Sequence, residues 1–282
     1  MEWLNTVKLE VLLSAMHQKD FEIAYKTHIQ SDLLIINQCD ENRYDEIEVD
    51  GHTWRMISTT ERGLSRSRQM AMDHAKGDIC LFCDDDEVLE ADYAATIVNA
   101  YAELPKASAI VFNLNRINYK MKKSYYRISK TRIAPKYRGY SSQMLTFKIA
   151  DIRKKKIKMN LKFGSGTQWG GGEEILFEDD IRKAGLYMYE YPSVIATIDY
   201  AGGSQWFDGY SEKYFYNLGA YIQYKYRKNF VLKLLRAAFT CYRLRREKKL
   251  SFLEKMKWMY FGGKGIKRDV TYRQFLENNK RF

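Results

Sequence analysis

Residues 84–87 are Asp-Asp-Asp-Glu, and they follow directly on the apolar run Ile79-Cys80-Leu81-Phe82-Cys83. Neighbouring carboxylates repel one another, so a buried strand that surfaces into four of them needs a reason. Read along an extended chain, Asp84 and Asp86 point to one side with their Cα atoms about 6–7 Å apart. That spacing suits one hard divalent cation, Mg²⁺ or Mn²⁺, which takes a few carboxylates and completes its shell with water and phosphate oxygens. A cation held this way stabilises a departing phosphate group. The plainer alternative is an acidic turn capping a helix that begins near Glu90, because aspartate favours helix N-termini.

A second acidic constellation follows about ninety residues later. Gly172-Glu173-Glu174 opens "ILFEDDIRKAG", which reads as a helix. A carboxylate near other acids can have a raised pKa and remove the proton of an attacking hydroxyl. The competing reading of Glu173 and Glu174 is favourable charge at a helix N-terminus. Glu178, Asp179 and Asp180, a turn or more further in, read as solvated acids paired with Arg182 and Lys183. The preceding glycine-rich stretch is flexible and could let a substrate approach the backbone, but it lacks G-x-G-x-x-G spacing, so the signal for a phosphate cradle is weak.

Strands alternating with helices must position these groups. "KLEVLLSAM" (8–16), "DLLIINQCD" (32–40), "TWRMIST" (53–59), "ICLFC" (79–83) and "ASAIVFNLNRIN" (107–118) read as strands. "GLSRSRQMAMDHAKGD" (63–78) and "EADYAATIVNAYAEL" (90–104) read as helices, stopped at Gly77 and Pro105. The pattern predicts an α/β domain around a mainly parallel sheet flanked by helices, with chemistry beyond the carboxyl ends of its strands. Ser14 to Lys19, Asn37 to Asp40 and Asp84 to Asp86 gather there.

"ERGLSRSRQMAMDHAKGDICLFCDDDEVLEADY" (61–93) resembles the central signature of family 2 glycosyltransferases with the GT-A fold. The family pattern is a Gly-Leu-Ser turn, a helix with an Ala/Ser-Arg-Asn, an Ala-x-Gly-Asp/Glu, an apolar strand and D-x-D. Gln69 stands where Asn is common. The resemblance extends over roughly residues 8–210 and is of the bacterial polysaccharide-biosynthesis type. It implies that Asp84 lies near the ribose and diphosphate of a nucleotide-diphospho-sugar, that Asp84 and Asp86 bind the metal, and that Asp85 contributes to either role. Gly63, Ser65 and Arg68 match the loop and helix lining the donor site. Asn37 and Gln38 stand where the family has a base-reading Asp, and an amide can both donate to and accept from a pyrimidine. Glu174 matches the family's general base, with Glu173 beside it. The implied activity is an inverting hexosyl- or deoxyhexosyltransferase acting on a glycan or lipid-linked saccharide in cell-surface polysaccharide synthesis.

Charge divides the chain. The formal net charge is +12, yet residues 213–282 hold about nineteen Lys/Arg against four Asp/Glu, leaving residues 1–212 close to neutral. The sequence therefore predicts a catalytic domain over residues 1–210 and a basic helical extension over 211–282. Within the extension, Lys233, Arg236 and Arg243 fall on one helix side and Phe230, Leu234, Ala238, Phe239 and Tyr242 on another. A basic amphipathic helix suits an anionic membrane surface, ahead of a helix packed on the catalytic domain with a solvated basic face and of a nucleic-acid patch. No apolar run approaches the roughly 18 residues of a spanning helix. The expectation is a cytoplasmic protein, peripheral on the inner face of the membrane. Cys39, Cys80, Cys83 and Cys241 suit buried, reduced thiols. Ser204 and Trp206 are lid or acceptor candidates. Two readings compete with transfer: a Mg-dependent nucleotidyltransferase, against which "SAMHQKD" offers no triphosphate loop, and a non-catalytic basic membrane- or nucleic-acid-binding protein.

Overall fold

The computed structural model describes residues 7–119, 126–201, 209–243 and 250–279; Ser204 and Trp206 lie outside them. In chain order its elements begin β1 (Leu9–Met16), α1 (Glu22–Lys26), β2 (Asp32–Gln38), β3 (Arg43–Val49), β4 (His52–Thr59) and α2 (Leu64–His74). They continue with β5 (Ile79–Asp84), β6 (Glu87–Leu89), α3 (Tyr93–Glu103), β7 (Ala109–Ile117), β8 (Arg132–Ile133), β9 (Leu145–Lys148) and α4 (Ile149–Lys154). Last come α5 (Glu173–Lys183), β10 (Met188–Asp199), α6 (Glu212–Tyr226), α7 (Phe230–Arg243), α8 (Phe252–Arg268) and α9 (Tyr272–Asn279).

The strands form one sheet in the order β3-β4-β2-β1-β5-β9-β7-β10-β6, with β8 pairing on β10. Its centre, β4-β2-β1-β5, is parallel. β1, β2 and β5 are almost wholly buried, as strands covered on both faces must be. Parallelism stops at β9, which runs antiparallel to both β5 and β7, before β7 and β10 pair parallel again. The edge strand β3, absent from the sequence reading, forms an antiparallel hairpin with β4. Its turn is Asp50-Gly51, both at positive φ (51° and 81°), the chemistry of a type I′ hairpin turn. That Asp-Gly dipeptide was the available signal.

A buried ion pair ties α2 to the sheet. Glu10 on β1 pairs with Arg55 on β4. Its other oxygen accepts from the backbone N–H groups of Lys76 (2.6 Å) and Gly77 (2.9 Å). A Cβ on Gly77 would lie 2.6 Å from the Glu10 Cβ, so only glycine fits this turn. The helix therefore ends at His74, three residues before the glycine that was expected to stop it.

The chain divides into two compact units, one of residues 1–160 with 174–203 and one of 161–173 with 204–282. The first carries the sheet. In the second, the 161–173 segment packs with the C-terminal helices, whereas the sequence reading kept it with the catalytic region. Trp169 is fully buried and stacks on Tyr216 of α6 (6.0 Å between centroids, 11° between planes), and Phe163 meets Tyr224 at 5.2 Å. Helices α6 and α8 cross at glycines: a Cβ on Gly219 would collide with the Met259 carbonyl, and one on Gly262 with that of Tyr216. Phe215, Ile222, Leu234, Ala238, Cys241 and Met259 form the core of this unit.

Candidate active site

The parallel strands end side by side. Ser14 pairs with Asp84 across β1–β5, Met16 with Gln38 across β1–β2, and Gln38 with Thr59 across β2–β4. This places the polar strand ends in one row at the carboxyl edge, where an open α/β sheet binds its ligands.

Asp84 is the last residue of β5, and its carboxylate is held by Arg68 of α2, whose Nη2 donates at 2.9 and 3.3 Å. Arg68 is 2% exposed and lies over the Phe82 ring, 5.6 Å from its centroid. The sequence reading gave Arg68 to the donor-site lining; its guanidinium is found beneath the strand end, orienting Asp84. Asp85 and Asp86 form the turn between β5 and β6 and are exposed. This corrects the strand-pleat argument: β5 stops at Asp84, so backbone alternation does not set the direction of Asp86. Burial, then the charge of Asp84, raises the carboxyl of Asp85. Burial raises Asp86 as well, followed by the charges of Asp84 and Asp85.

Glu87, overlooked as a site residue, is 1% exposed and accepts the backbone N–H of Asp84 at 2.5 Å. Burial pushes its carboxyl well above the usual range, and Asp84 adds to the shift. It clamps the Asp84–Asp86 turn from below.

Asn37 is fully buried. Its amide donates to the Gln18 carbonyl (2.8 Å) and to the Ser58 hydroxyl (3.0 Å), and accepts from the Gln18 N–H (2.9 Å). Both ends of the Gln38 amide meet Gly63: Oε1 accepts the Gly63 N–H at 2.8 Å, and Nε2 donates to its carbonyl at 3.4 Å. These two amides join the loops after β1 and β4 to the end of β2. Gly63, at φ 114°, precedes α2. Ser65 is fully buried and its Oγ has no hydrogen-bond partner among the described residues. Ser67 donates to Ser14 at 2.8 Å, seating α2 on β1.

Helix α5 opens with the two candidate bases. Phe177, one turn beyond Glu174, packs on Phe82 of β5 (5.9 Å) and Phe147 of β9 (5.6 Å). The helix that begins with these glutamates is thereby anchored on the strand that ends in Asp84. Glu174 is half-buried, whereas Glu173 is 4% exposed. The Glu173 carboxyl lies 3.3–3.4 Å from where a Gly164 Cβ would sit. Glu178 is not the solvated acid expected: it is fully buried, accepting from the Tyr140 N–H (3.0 Å) and from Arg182 (3.2 Å). Burial pushes its carboxyl up to about 8 despite the Arg182 guanidinium. Asp180 does pair with Lys183, at 2.8 Å.

Cys80 and Cys83 are buried free thiols, both pushed up by burial. Among the described residues no three His, Cys, Asp or Glu side chains converge as a ready-made metal cage. The Asp84–Asp86 turn still fits a hard cation, since it concentrates carboxylate oxygens whose mutual repulsion a divalent ion relieves, with substrate oxygens and water completing the shell.

An α/β sheet ending in this acidic turn defines a GT-A glycosyltransferase fold. Crystal structures of S. aureus TarS share it. The 1–349 fragment in complex with UDP-GlcNAc superposes with a TM-score of 0.53 at 12% identity, over 95% of this chain and 77% of that one. TarS 1–349 by itself gives 0.53 at 9% identity, over 94% and 93%. The UDP complex gives 0.50 at 11% identity, over 92% and 72%. The profile described as Glycosyl transferase family 2 matches residues 9–176, and the chain belongs to that family. Curated proteins provide no match.

Proposed function

We propose that the chain transfers a hexosyl or deoxyhexosyl group from a nucleotide-diphospho-sugar, with inversion, to a hydroxyl of a glycan or lipid-linked saccharide in cell-surface polysaccharide synthesis. The observation that carries this reading is the family match over residues 9–176, which includes the acidic turn at the carboxyl edge of the parallel sheet. The TarS complexes with UDP-GlcNAc and UDP support a nucleotide-linked donor.

In this reading Glu174 takes the proton of the acceptor hydroxyl as its oxygen attacks the anomeric carbon. The bond to the diphosphate breaks in the same in-line displacement, and its electron pair leaves with the nucleoside diphosphate. Glu174 is preferred to Glu173 because it is the more accessible of the two. Asp86 and Asp84 would hold Mg²⁺ or Mn²⁺, which when bound offsets the charge of the leaving diphosphate. Arg68 and Glu87 orient Asp84 from side chain and backbone, and Asp85 supplements the acidic turn. Gly63 and Ser65 line the donor site, while Asn37 and Gln38 shape the base pocket by fixing the loops at Gln18 and Gly63.

The membrane face is supported by α7. Val231, Leu232, Leu235 and Phe239 are 41–67% exposed on a helix that also carries Lys228, Lys233 and Arg236 near or along it. An apolar face flanked by cations fits an anionic lipid surface. Among the described residues no helix is long and apolar enough to cross a membrane.

The test is a panel of nucleotide-diphospho-sugars with and without Mn²⁺. Nucleoside diphosphate release from one donor is the expected result. Pyrophosphate release from a nucleoside triphosphate would instead establish a nucleotidyltransferase.

A further inference from the structure

The helical unit contains a cleft of about 670 Å³ to which the mechanism proposed above gives no role. That volume is in the range of a site for one or two sugar rings. Its walls are the 165–171 loop, the start of α6 and the start of α9. We propose that this cleft binds a phosphorylated saccharide.

Two cations, Lys213 and Arg273, line it, and no carboxylate does among the described residues. The acids nearest in sequence each bond to a residue of that lining. Glu212 accepts from the Tyr272 hydroxyl (3.1 Å), Asp269 from Lys162 and Gln168 (both 2.9 Å), and Glu277 from Arg273 (3.0 Å). Arg273 keeps 90% of its side chain exposed while making that pair, so its guanidinium remains accessible to a second anion. The first turns of α6 and α9 add the positive ends of two helices to the same field.

The rest of the lining is suited to sugar hydroxyls. Ser165, Thr167, Gln168, Asn217 and Thr271 offer hydroxyls and amides that both donate and accept. Tyr214 and Tyr272 supply aromatic surface of the kind that meets the apolar face of a sugar ring. Glycine keeps the loop low. Gly166 and Gly171 sit at φ 72° and 76°, and a Cβ on Gly171 would meet only open space. A Cβ on Gly170 would come 3.2 Å from the Asn217 amide nitrogen. Two cations on a cleft otherwise built of hydroxyls and amides favour a sugar phosphate over either component by itself.

The site does not depend on the proposed chemistry, and its test is separate from donor hydrolysis. Calorimetric titration of the full chain with glucose 6-phosphate, glucose and inorganic phosphate should show the sugar phosphate binding at least about ten-fold more tightly than either of the others. The Lys213→Gln/Arg273→Gln double variant should lose that preference. Both side chains are exposed, so folding is preserved, and nucleoside diphosphate release by the variant should match that of the parent. A parallel assay with phosphorylated and neutral saccharide acceptors identifies the source of the ligand. A raised KM for the phosphorylated acceptor alone marks the site as an acceptor subsite, and an unchanged KM with lost binding marks it as one for a free sugar phosphate. Equal affinity for glucose and glucose 6-phosphate, or undiminished sugar-phosphate binding in the double variant, overturns the proposal.

Discussion

Asp84 and Asp86 are two residues apart and differ in almost every physical respect. Asp84 closes a buried strand and is committed to Arg68 and, through its backbone, to Glu87. Asp86 sits in an exposed turn, where partial desolvation and then two neighbouring acids raise its carboxyl. The first is a fixed reference point, and the second is the group best able to gain from a cation. Glu174, on another element, carries the proton transfer in the proposed mechanism. Asp86→Ala and Glu174→Ala should each lower kcat by about 10²–10⁴, the usual contribution of such groups. Circular dichroism and melting temperature should stay at the parental values, because neither side chain is in the core. Near-normal turnover by either variant removes that residue from the mechanism.

At the scale of elements, α5 does two jobs. Phe177 fastens it to β5 and β9, and Glu178 joins it to the Tyr140 backbone. A carboxyl raised to about 8 in the fold, against about 4.5 in the open chain, favours the folded state most when it is protonated. Its contribution is therefore complete below about pH 4.5 and is lost as pH rises toward about 8. Melting curves between pH 5 and 8 should show the parent losing stability relative to Glu178→Gln, which does not titrate. A gap of 1 kcal/mol corresponds to roughly 2–4 °C in a chain of this size. A constant difference between the two proteins across that range would show that Glu178 stays ionised. The loop after α2 depends on a different device, in which Glu10, Arg55 and the missing Cβ of Gly77 must coexist.

Across the whole molecule, charge divides along the chain. The near-neutral sheet unit holds the acidic turn, and the helical unit holds most of the excess positive charge. Leu232 and Phe239 are 67% and 60% exposed on α7, an arrangement that water alone does not favour. The 282-residue chain should co-sediment with phosphatidylglycerol vesicles and less with phosphatidylcholine vesicles, and added salt should weaken the binding. Replacing Leu232 and Phe239 with Asn should reduce partitioning by about ten-fold or more, given roughly 1.5–3 kcal/mol for each large apolar side chain buried. Equal binding to both lipids, or none to either, would remove the membrane from the proposed function.

Much of this was legible in the residues. Apolar runs ending in polar clusters marked β1, β2 and β5, because strands buried on both faces have no other composition open to them. The Gly-Leu-Ser turn, Gly77 in the turn after α2 and the acidic run keep their spacing along one strand–helix–strand passage, so local order is enough to expose the family. The β3–β4 hairpin is likewise readable from the Asp50-Gly51 dipeptide. Other features depend on contacts between residues distant in sequence. Nothing near Arg68 shows that it closes on Asp84, or near Glu178 that Tyr140 and Arg182 receive it in the interior. Neither could the strand period place Asp86, since the chain leaves the strand one residue earlier. Periodicity and composition act over a few residues, whereas burial, pairing and raised pKa values arise only when remote segments exclude water together.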